Sequence, residues 1–170
     1  MIIYKIIKSP IGDMVLGSVD DKICFLEFHL PERYDEMSDK IRKVYDAELV
    51  EGTNNVIEQA EEQLQEYFTG KRKNFTVPLD LRGTEFELKI WDQLLKIPYG
   101  QVCSYGDIAK KINNPKSVRA VGGANHNNPI AIIVPCHRVV GKSGSLVGYG
   151  GGVEKKKFLI ELEKGELSLL

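Results

Sequence analysis

The stretch SYGDIAKKINNPKSVRAVGGANH, residues 104–126, decides how the second half of this chain folds. Ser104 and Asp107 stand at the spacing of a capping box, in which an N-cap side chain and a third-position side chain satisfy each other's backbone N–H, so a helix starts at YGDIAKKI. Asn113, Asn114 and Pro115 break it, and Ser117 starts a second short helix, SVRAVGGANH. Two helices joined by a turn of about four or five residues have helix-turn-helix geometry. Gly122 and Gly123 each cost the second helix roughly 1 kcal/mol against alanine. Two readings account for them: tight packing against another element of the fold, or a helix thin enough to enter a nucleic-acid groove with Arg119 projecting from it.

Working outward from this motif, Thr84 and Glu87 form another capping box, followed by Phe86, Ile90, Leu94, Trp91 and Leu95 as the expected buried stripe, and IPYG stops that helix. Beyond the motif, NNPIAIIVPC reads as a short buried extended run. A glycine-rich loop, GKSGSLVGYGGG, leads into a last helix, VEKKKFLIELEKG, with Phe158, Leu159 and Leu162 on its apolar face. The first thirty residues differ in kind. IIYKIIK, DMVLGSV and KICFLEFHL alternate apolar and polar positions and are separated by turn signals, which predicts an antiparallel meander. A short helix is expected near Asp35–Arg42 and a returning strand at AELVE. Helical periodicity appears at Val56, Ala60, Leu64 and Tyr67/Phe68, capped by Thr53 or Asn54 and ended by Gly70. The segment KRKNFTVPLDLRG then reads as an extended linker, because Pro78 and Gly83 discourage a helix. The boundary is placed there: residues 1–82 form a mixed N-terminal domain, residues 83–170 a mainly helical one, and the fold class is α+β.

Charge divides the chain at the same point. Residues 1–82 carry 11 Lys+Arg against 16 Asp+Glu, a net of -5; residues 83–170 carry 12 against 8, a net of +4, and together they give the overall -1. Between Tyr105 and Lys142 there are six basic residues (Lys110, Lys111, Lys116, Arg119, Arg138, Lys142) and one acid, Asp107. Such a patch steers polyanions or is simply a solvated surface. Cys24, Cys103 and Cys136 show neither a disulfide framework nor zinc-site spacing, which points to free thiols in a reducing, cytoplasmic setting. No run approaches the length a bilayer needs, so no membrane partner is expected.

Cys136 lies at the end of an apolar run in IVPCHRVVG. A cysteine so placed is often a packing residue. Here Pro135 redirects the backbone, and His137 and Arg138 bring polar and cationic groups to a thiol that, with a free pKa of about 8.5, needs activation to act as a nucleophile. Neighbouring residues of an extended segment point to opposite sides, so His137 needs a bridging water or a local turn to take the Cys136 proton. An acid would then hold the imidazole, with Glu161 and Glu163 as candidates. A metal reading is weaker, because Cys24, Cys103, His29 and His126 are scattered without ligand spacing.

Taken together, IPYG, SYGDIA, PKSVRAVGGA, PCHRVV and GYGGG over residues 83–163 resemble the DNA-binding and catalytic domain of the O6-alkylguanine-DNA alkyltransferases, the methylated-DNA–protein-cysteine methyltransferases. The first 82 residues resemble this family more loosely, through the SPIG turn, QLQEYFTG and FTVPL. The resemblance implies a small ribonuclease-H-like N-terminal domain, no cofactor, and a monomer that binds duplex DNA containing O6-alkylguanine in the minor groove.

It further implies a set of site residues. Cys136 matches the alkyl acceptor, His137 the water-linked base and Glu163 the acid that orients it. Tyr105 matches the tyrosine that crowds the target phosphate and donates to the guanine ring, and Asn128 the asparagine of the turn between recognition helix and active-site segment. Arg119 matches the arginine finger, and Ser117, Ala120, Gly122 and Gly123 belong to the DNA-facing helix. Val139 and Tyr149 would help form the pocket with Gly150 to Gly152 at its rim, and Lys142 stands where many relatives carry a small polar residue. Asn125 and His126 replace residues that vary across the family. Some relatives hold zinc in the N-terminal domain, but with only Cys24 and His29 there none is expected.

This chemistry suits the residue types, since displacement at a saturated carbon needs a soft thiolate and a proton for the leaving base, not an oxyanion hole or a metal. Three other readings remain: a damage-flagging relative, which would lack the acceptor cysteine; a transcription regulator; and a cysteine hydrolase.

Overall fold

The structure, a computed structural model, describes residues 1–146, 149 and 151–167. The chain divides into two compact units, Met1–Arg82 and Gly83–Leu170.

In the first unit, β1 (Ile2–Ile7), β2 (Met14–Val19) and β3 (Lys22–Phe28) form the expected antiparallel meander. Helix α1 spans Tyr34–Tyr45 and ends on Asp46 in the left-handed conformation, φ 49°. It delivers β4 (Leu49–Glu51) to the far side of β1, in parallel register, so the sheet order is β3-β2-β1-β4. Helix α2 (Asn55–Phe68) starts on Asn54, whose side chain accepts from Ile57 N, and buries Val56, Ile57, Ala60, Leu64 and Tyr67. Ile2, Val15, Val19, Cys24, Phe25 and Ile41 make the core between sheet and α1. The Phe25 ring occupies the space a side chain would need at Gly17, its cross-strand partner: a Cβ there would lie 2.0 Å from Phe25 Cε1.

The second unit is built on α3 (Glu85–Leu95), α4 (Tyr105–Lys111), α5 (Val118–His126) and α6 (Val153–Lys164). Both capping boxes are formed, Thr84 with Glu87 and Ser104 with Asp107. Ser117 occupies the N-cap position of α5, but its hydroxyl donates to Asn114 O instead of capping. Trp91 Nε1 donates to Ala124 O at 2.8 Å and Asn127 Nδ2 to Glu87 Oε2 at 3.1 Å, which fixes α5 against α3.

Two sequence expectations need correction here, and one pairing had not been foreseen. Leu95 is exposed, because the stripe on α3 narrows to Ile90, Trp91 and Leu94. A two-residue strand, β5 (Cys103–Ser104), pairs in parallel with β6 (Val139–Val140), a pairing too short to leave periodicity in the sequence. Residues 128–136 are largely buried but not extended. Consecutive tight turns, Ile133 N to Ala131 O and Cys136 N to Val134 O at 2.8 Å each, fold the segment back on itself, and Ile132 is driven to φ 69°. A β-branched residue in that region stores backbone strain.

Candidate active site

Cys136, His137 and Arg138 form a single 3-10 turn directly after Pro135. A local turn here was one of the two routes, beside a bridging water, by which the sequence allowed Cys136 and His137 to act together. Cys136 is 6% exposed and His137 wholly buried.

The turn is anchored by Glu163, near the end of α6. His137 Nε2 lies 2.5 Å from Glu163 Oε2, Arg138 Nε donates to Oε1 at 2.8 Å and Nη2 to Oε2 at 3.2 Å, and Gly100 N donates to Oε1 at 3.1 Å. Arg138 Nη1 also donates to Ile97 O at 2.6 Å. Thus Ile97 and Gly100, the ends of IPYG, are tied to the cysteine turn through one carboxylate and one guanidinium. Glu161, the other sequence candidate, is turned to a long surface pair with Lys157 at 3.8 Å. Arg138 leaves the expected basic surface, because it is 7% exposed and committed to Glu163.

Burial by itself would raise the Glu163 carboxyl, but the hydrogen bonds and charges of His137 and Arg138 outweigh it and hold the group at about 2. Burial pushes His137 below its ordinary value of 6.5 against the pull of Glu163. The permanent cation Arg138 already balances Glu163, so the stable pairing is a carboxylate with a neutral imidazole. Nε2 then carries the proton toward Glu163, and Nδ1 is left as a bare acceptor. Nδ1 is buried without a hydrogen-bond partner among the described residues.

Tyr105, first residue of α4, is half-buried, and the short β5–β6 ladder brings its end of the helix beside the segment that follows Cys136. Burial and the neighbouring Cys136 raise its phenol. Lys156 Nζ lies 3.5 Å from the Tyr105 hydroxyl and 5.7 Å from the ring centroid. This lysine is fully buried, and burial lowers its pKa while the charge of a Cys136 thiolate would raise it. Sequence reading missed Lys156. Its signal was periodicity: Lys156, Leu159 and Glu163 share one face of α6, so a lysine sits in the buried stripe.

Asn128 is buried, and its side chain is spent on the backbone, donating to Val134 O at 2.8 Å and Ile130 O at 3.3 Å and accepting from Ile130 N. These bonds tie the end of α5 to the strained loop that precedes the cysteine turn. Val139 and Tyr149 are buried near the turn, whereas Lys142 is exposed on a 3-10 turn and Gly150 lies outside the described residues.

On α5, Arg119, Ala120 and Gly123 are exposed and Gly122 is partly so. A Cβ at Gly122 or Gly123 would meet nothing within 4 Å. Packing inside this unit therefore does not require glycine at either position. Among the described residues no group of three or more His, Cys, Asp or Glu could hold a metal ion, and no helix is long and apolar enough to cross a membrane.

A helix-turn-helix unit wrapped around a buried cysteine, with a histidine and a carboxylate in line behind it, defines a cysteine-dependent protein of DNA-binding architecture. Residues 85–165 match the family model described as 6-O-methylguanine DNA methyltransferase, DNA binding domain, and residues 2–81 the one described as 6-O-methylguanine DNA methyltransferase, ribonuclease-like domain. The chain is 46% identical over 169 residues to the methylated-DNA–protein-cysteine methyltransferase of Mycobacterium tuberculosis, covering 96% of this chain and 93% of that protein. It is 44% identical to the protein of the same name from Methanosarcina acetivorans, over 94% and 97%. A crystal structure of the M. tuberculosis protein in complex with DNA superposes with a TM-score of 0.83 at 43% identity, over 96% of this chain and 94% of that one. The chain belongs to the methylated-DNA–protein-cysteine methyltransferase family.

Proposed function

We propose that this protein repairs alkylated DNA by direct reversal, as a methylated-DNA–[protein]-cysteine S-methyltransferase that moves the alkyl group of O6-alkylguanine in duplex DNA onto Cys136. One observation carries the reading: Cys136 shares a tight turn with a neutral, buried histidine whose outer nitrogen is held by Glu163 and whose inner nitrogen is a bare acceptor.

His137 Nδ1, through a bridging water, takes the thiol proton, and the thiolate sulfur attacks the alkyl carbon. The S–C bond forms as the C–O6 bond breaks, and the electron pair departs with the guanine. Tyr105 gives that base its proton, and Lys156, 3.5 Å from the hydroxyl, stabilises the phenolate left behind. The proton held by His137 then returns to the Tyr105 phenolate, so that overall the alkyl group replaces the thiol hydrogen and the guanine gains that proton. The resulting thioether has no leaving group that these side chains can expel, so each molecule acts once.

A base within a duplex cannot reach a buried cysteine, so it must be flipped, at a cost of a few kcal/mol. Residues 83–170 supply the DNA contacts: the open Ala120, Gly122, Gly123 face of α5 suits close approach to the minor groove, with Ser117 at its start and Arg119 positioned to fill the vacated stack. Val139 and Tyr149 line the pocket. The protein works as a monomer, with O4-methylthymine as a secondary substrate, and a reducing cytoplasm suits its thiol.

The test is intact mass and peptide mapping after incubation with excess duplex carrying one O6-methylguanine. A gain of one methyl on the Cys136 peptide, saturating at one per protein and absent in Cys136→Ser, is expected. Binding without mass gain would instead indicate a damage-flagging protein, and repeated turnover a hydrolase.

A further inference from the structure

Glu87 stands one turn before Trp91 on the same face of α3, and both side chains reach the end of α5. Trp91 Nε1 donates to Ala124 O at 2.8 Å, inside the last turn. Glu87 meets the residue that follows the helix, because Asn127 Nδ2 donates to its Oε2 at 3.1 Å. A carboxylate only accepts, which fixes the orientation of the Asn127 amide. The second carboxylate oxygen is used as well: Oε1 accepts from Thr84 N at 3.0 Å in the capping box. One side chain therefore closes the start of α3 and grips the end of α5. Gly83 leaves room for it, since a Cβ there would lie 2.5 Å from the Trp91 ring and 2.9 Å from Glu87 Oε1.

Asn127 is the joint between two parts of the site. On one side it ends α5, its backbone N–H donating to Gly123 O at 3.0 Å. On the other side Asn128 ties Ile130 O and Val134 O and leads into the cysteine turn. Asn128 is buried, whereas Asn127 is exposed and Glu87 is the partner of its side chain. Water would satisfy an exposed amide and carboxylate nearly as well, so their bond adds little to stability. Its consequence is geometric, because it restricts where the end of α5 sits.

We propose that Glu87 is a positioning residue for transfer from duplex DNA: through Asn127 it pins the joint between α5 and the loop that carries Cys136, so that a duplex seated on α5 is in register with the thiol. The assignment rests on the alkyl-transfer reading above, with α5 as the helix that meets DNA. Register matters because the sulfur must approach in line with the breaking C–O6 bond, and a misplacement on the order of 1 Å costs up to about 100-fold in rate.

The experiment uses the full chain and three variants. Asn127→Ala removes the bond, Asn127→Asp sets two carboxylates against each other, and Glu87→Gln combined with Asn127→Asp exchanges donor and acceptor while keeping the net charge of the pair. Two rates are measured for each. Single-turnover methyl transfer from a saturating O6-methylguanine duplex reads the register; alkylation of Cys136 by iodoacetamide without DNA, followed by peptide mass, reads the cysteine turn alone. Asn127→Ala is expected to slow duplex transfer by about 3- to 10-fold and Asn127→Asp by at least as much. The double variant should return to within about twofold of wild type, and the iodoacetamide rate should stay constant throughout. A merely structural contact would move both rates together. Such a parallel fall overturns the proposal, as does wild-type transfer by Asn127→Asp or a double variant as slow as Asn127→Asp alone. No transfer from the duplex by the wild type would instead reject the alkyl-transfer reading, and this inference with it.

Discussion

Arg138 and Glu163, 25 residues apart in sequence, meet in a buried two-point ion pair at 2.8 and 3.2 Å, and through it the cysteine turn is tied to the last helix. Removing one partner of such a pair leaves the other charge buried and uncompensated. Arg138→Ala is therefore expected to cost about 3–5 kcal/mol in urea unfolding, and Arg138→Lys, which keeps the charge but not the fork, distinctly less. A loss below about 1 kcal/mol for the alanine variant would show that the pair does not hold the turn.

The same cluster sets a pH dependence of stability. Glu163 is depressed from 4.5 to about 2, so its contribution is present above pH 4.5 and lost as pH falls toward 2. His137 is also depressed, from 6.5, so the unfolded chain takes up its proton first and the folded state loses ground as pH falls below 6.5. Both act in one direction: thermal stability should decline on acidification from about pH 6.5 and more steeply below 4.5. Glu163→Gln should remove the steeper limb. A midpoint that is constant from pH 7 to 3 would contradict the assigned charge states.

Because the base is neutral, alkyl transfer should persist below pH 6.5 instead of falling off at the value of a free histidine. Single-turnover rates across pH 5–8 test this directly. A fall centred at 6.5 or above would mean that His137 is not held neutral by its surroundings.

Gly122→Ala and Gly123→Ala separate folding from binding. Each places a methyl group in open space on a helix, so each should stabilise the protein by about 0.5–1 kcal/mol. If this face meets the DNA backbone closely, both should also weaken duplex binding. Unchanged affinity in both variants would remove α5's glycine face from the interface.

Lys156→Met keeps the volume and apolar stem but removes a charge that burial already disfavours. The variant should unfold at or above the wild-type temperature, yet transfer the methyl group roughly tenfold or more slowly, a loss of about 1.4 kcal/mol in the barrier. Equal rates would leave Lys156 as a packing residue.

In the first unit, Gly17→Ala forces a methyl group into the Phe25 ring, 2.0 Å from Cε1. Overpacking of that kind is expected to cost about 1–3 kcal/mol. Combining it with Phe25→Leu should recover part of the loss; no recovery would mean that the contact is not the cause.

Local rules carried much of this protein. Capping boxes at Thr84 and Ser104, the alternation of the first three strands, the break at Asn113–Pro115 and the apolar stripe of α2 each act within a few residues, so they can be read along the chain and recur in the fold. The residues by themselves also paired Cys136 with His137 and offered Glu161 or Glu163 as the acid; the family resemblance pointed to Glu163, and the fold brings that carboxylate to His137. What it could not determine was anything set by distant partners. The parallel placement of β4, the two-residue β5–β6 ladder and the turns of residues 128–136 depend on hydrogen bonds to other elements. Arg138 read as surface charge until Glu163 and Ile97 enclosed it, and Asn125 read as a variable position until the fold buried it against the Cys136 carbonyl. Burial is a property of the assembled core, and only burial turns these side chains from solvated groups into a charge pair and a backbone tie.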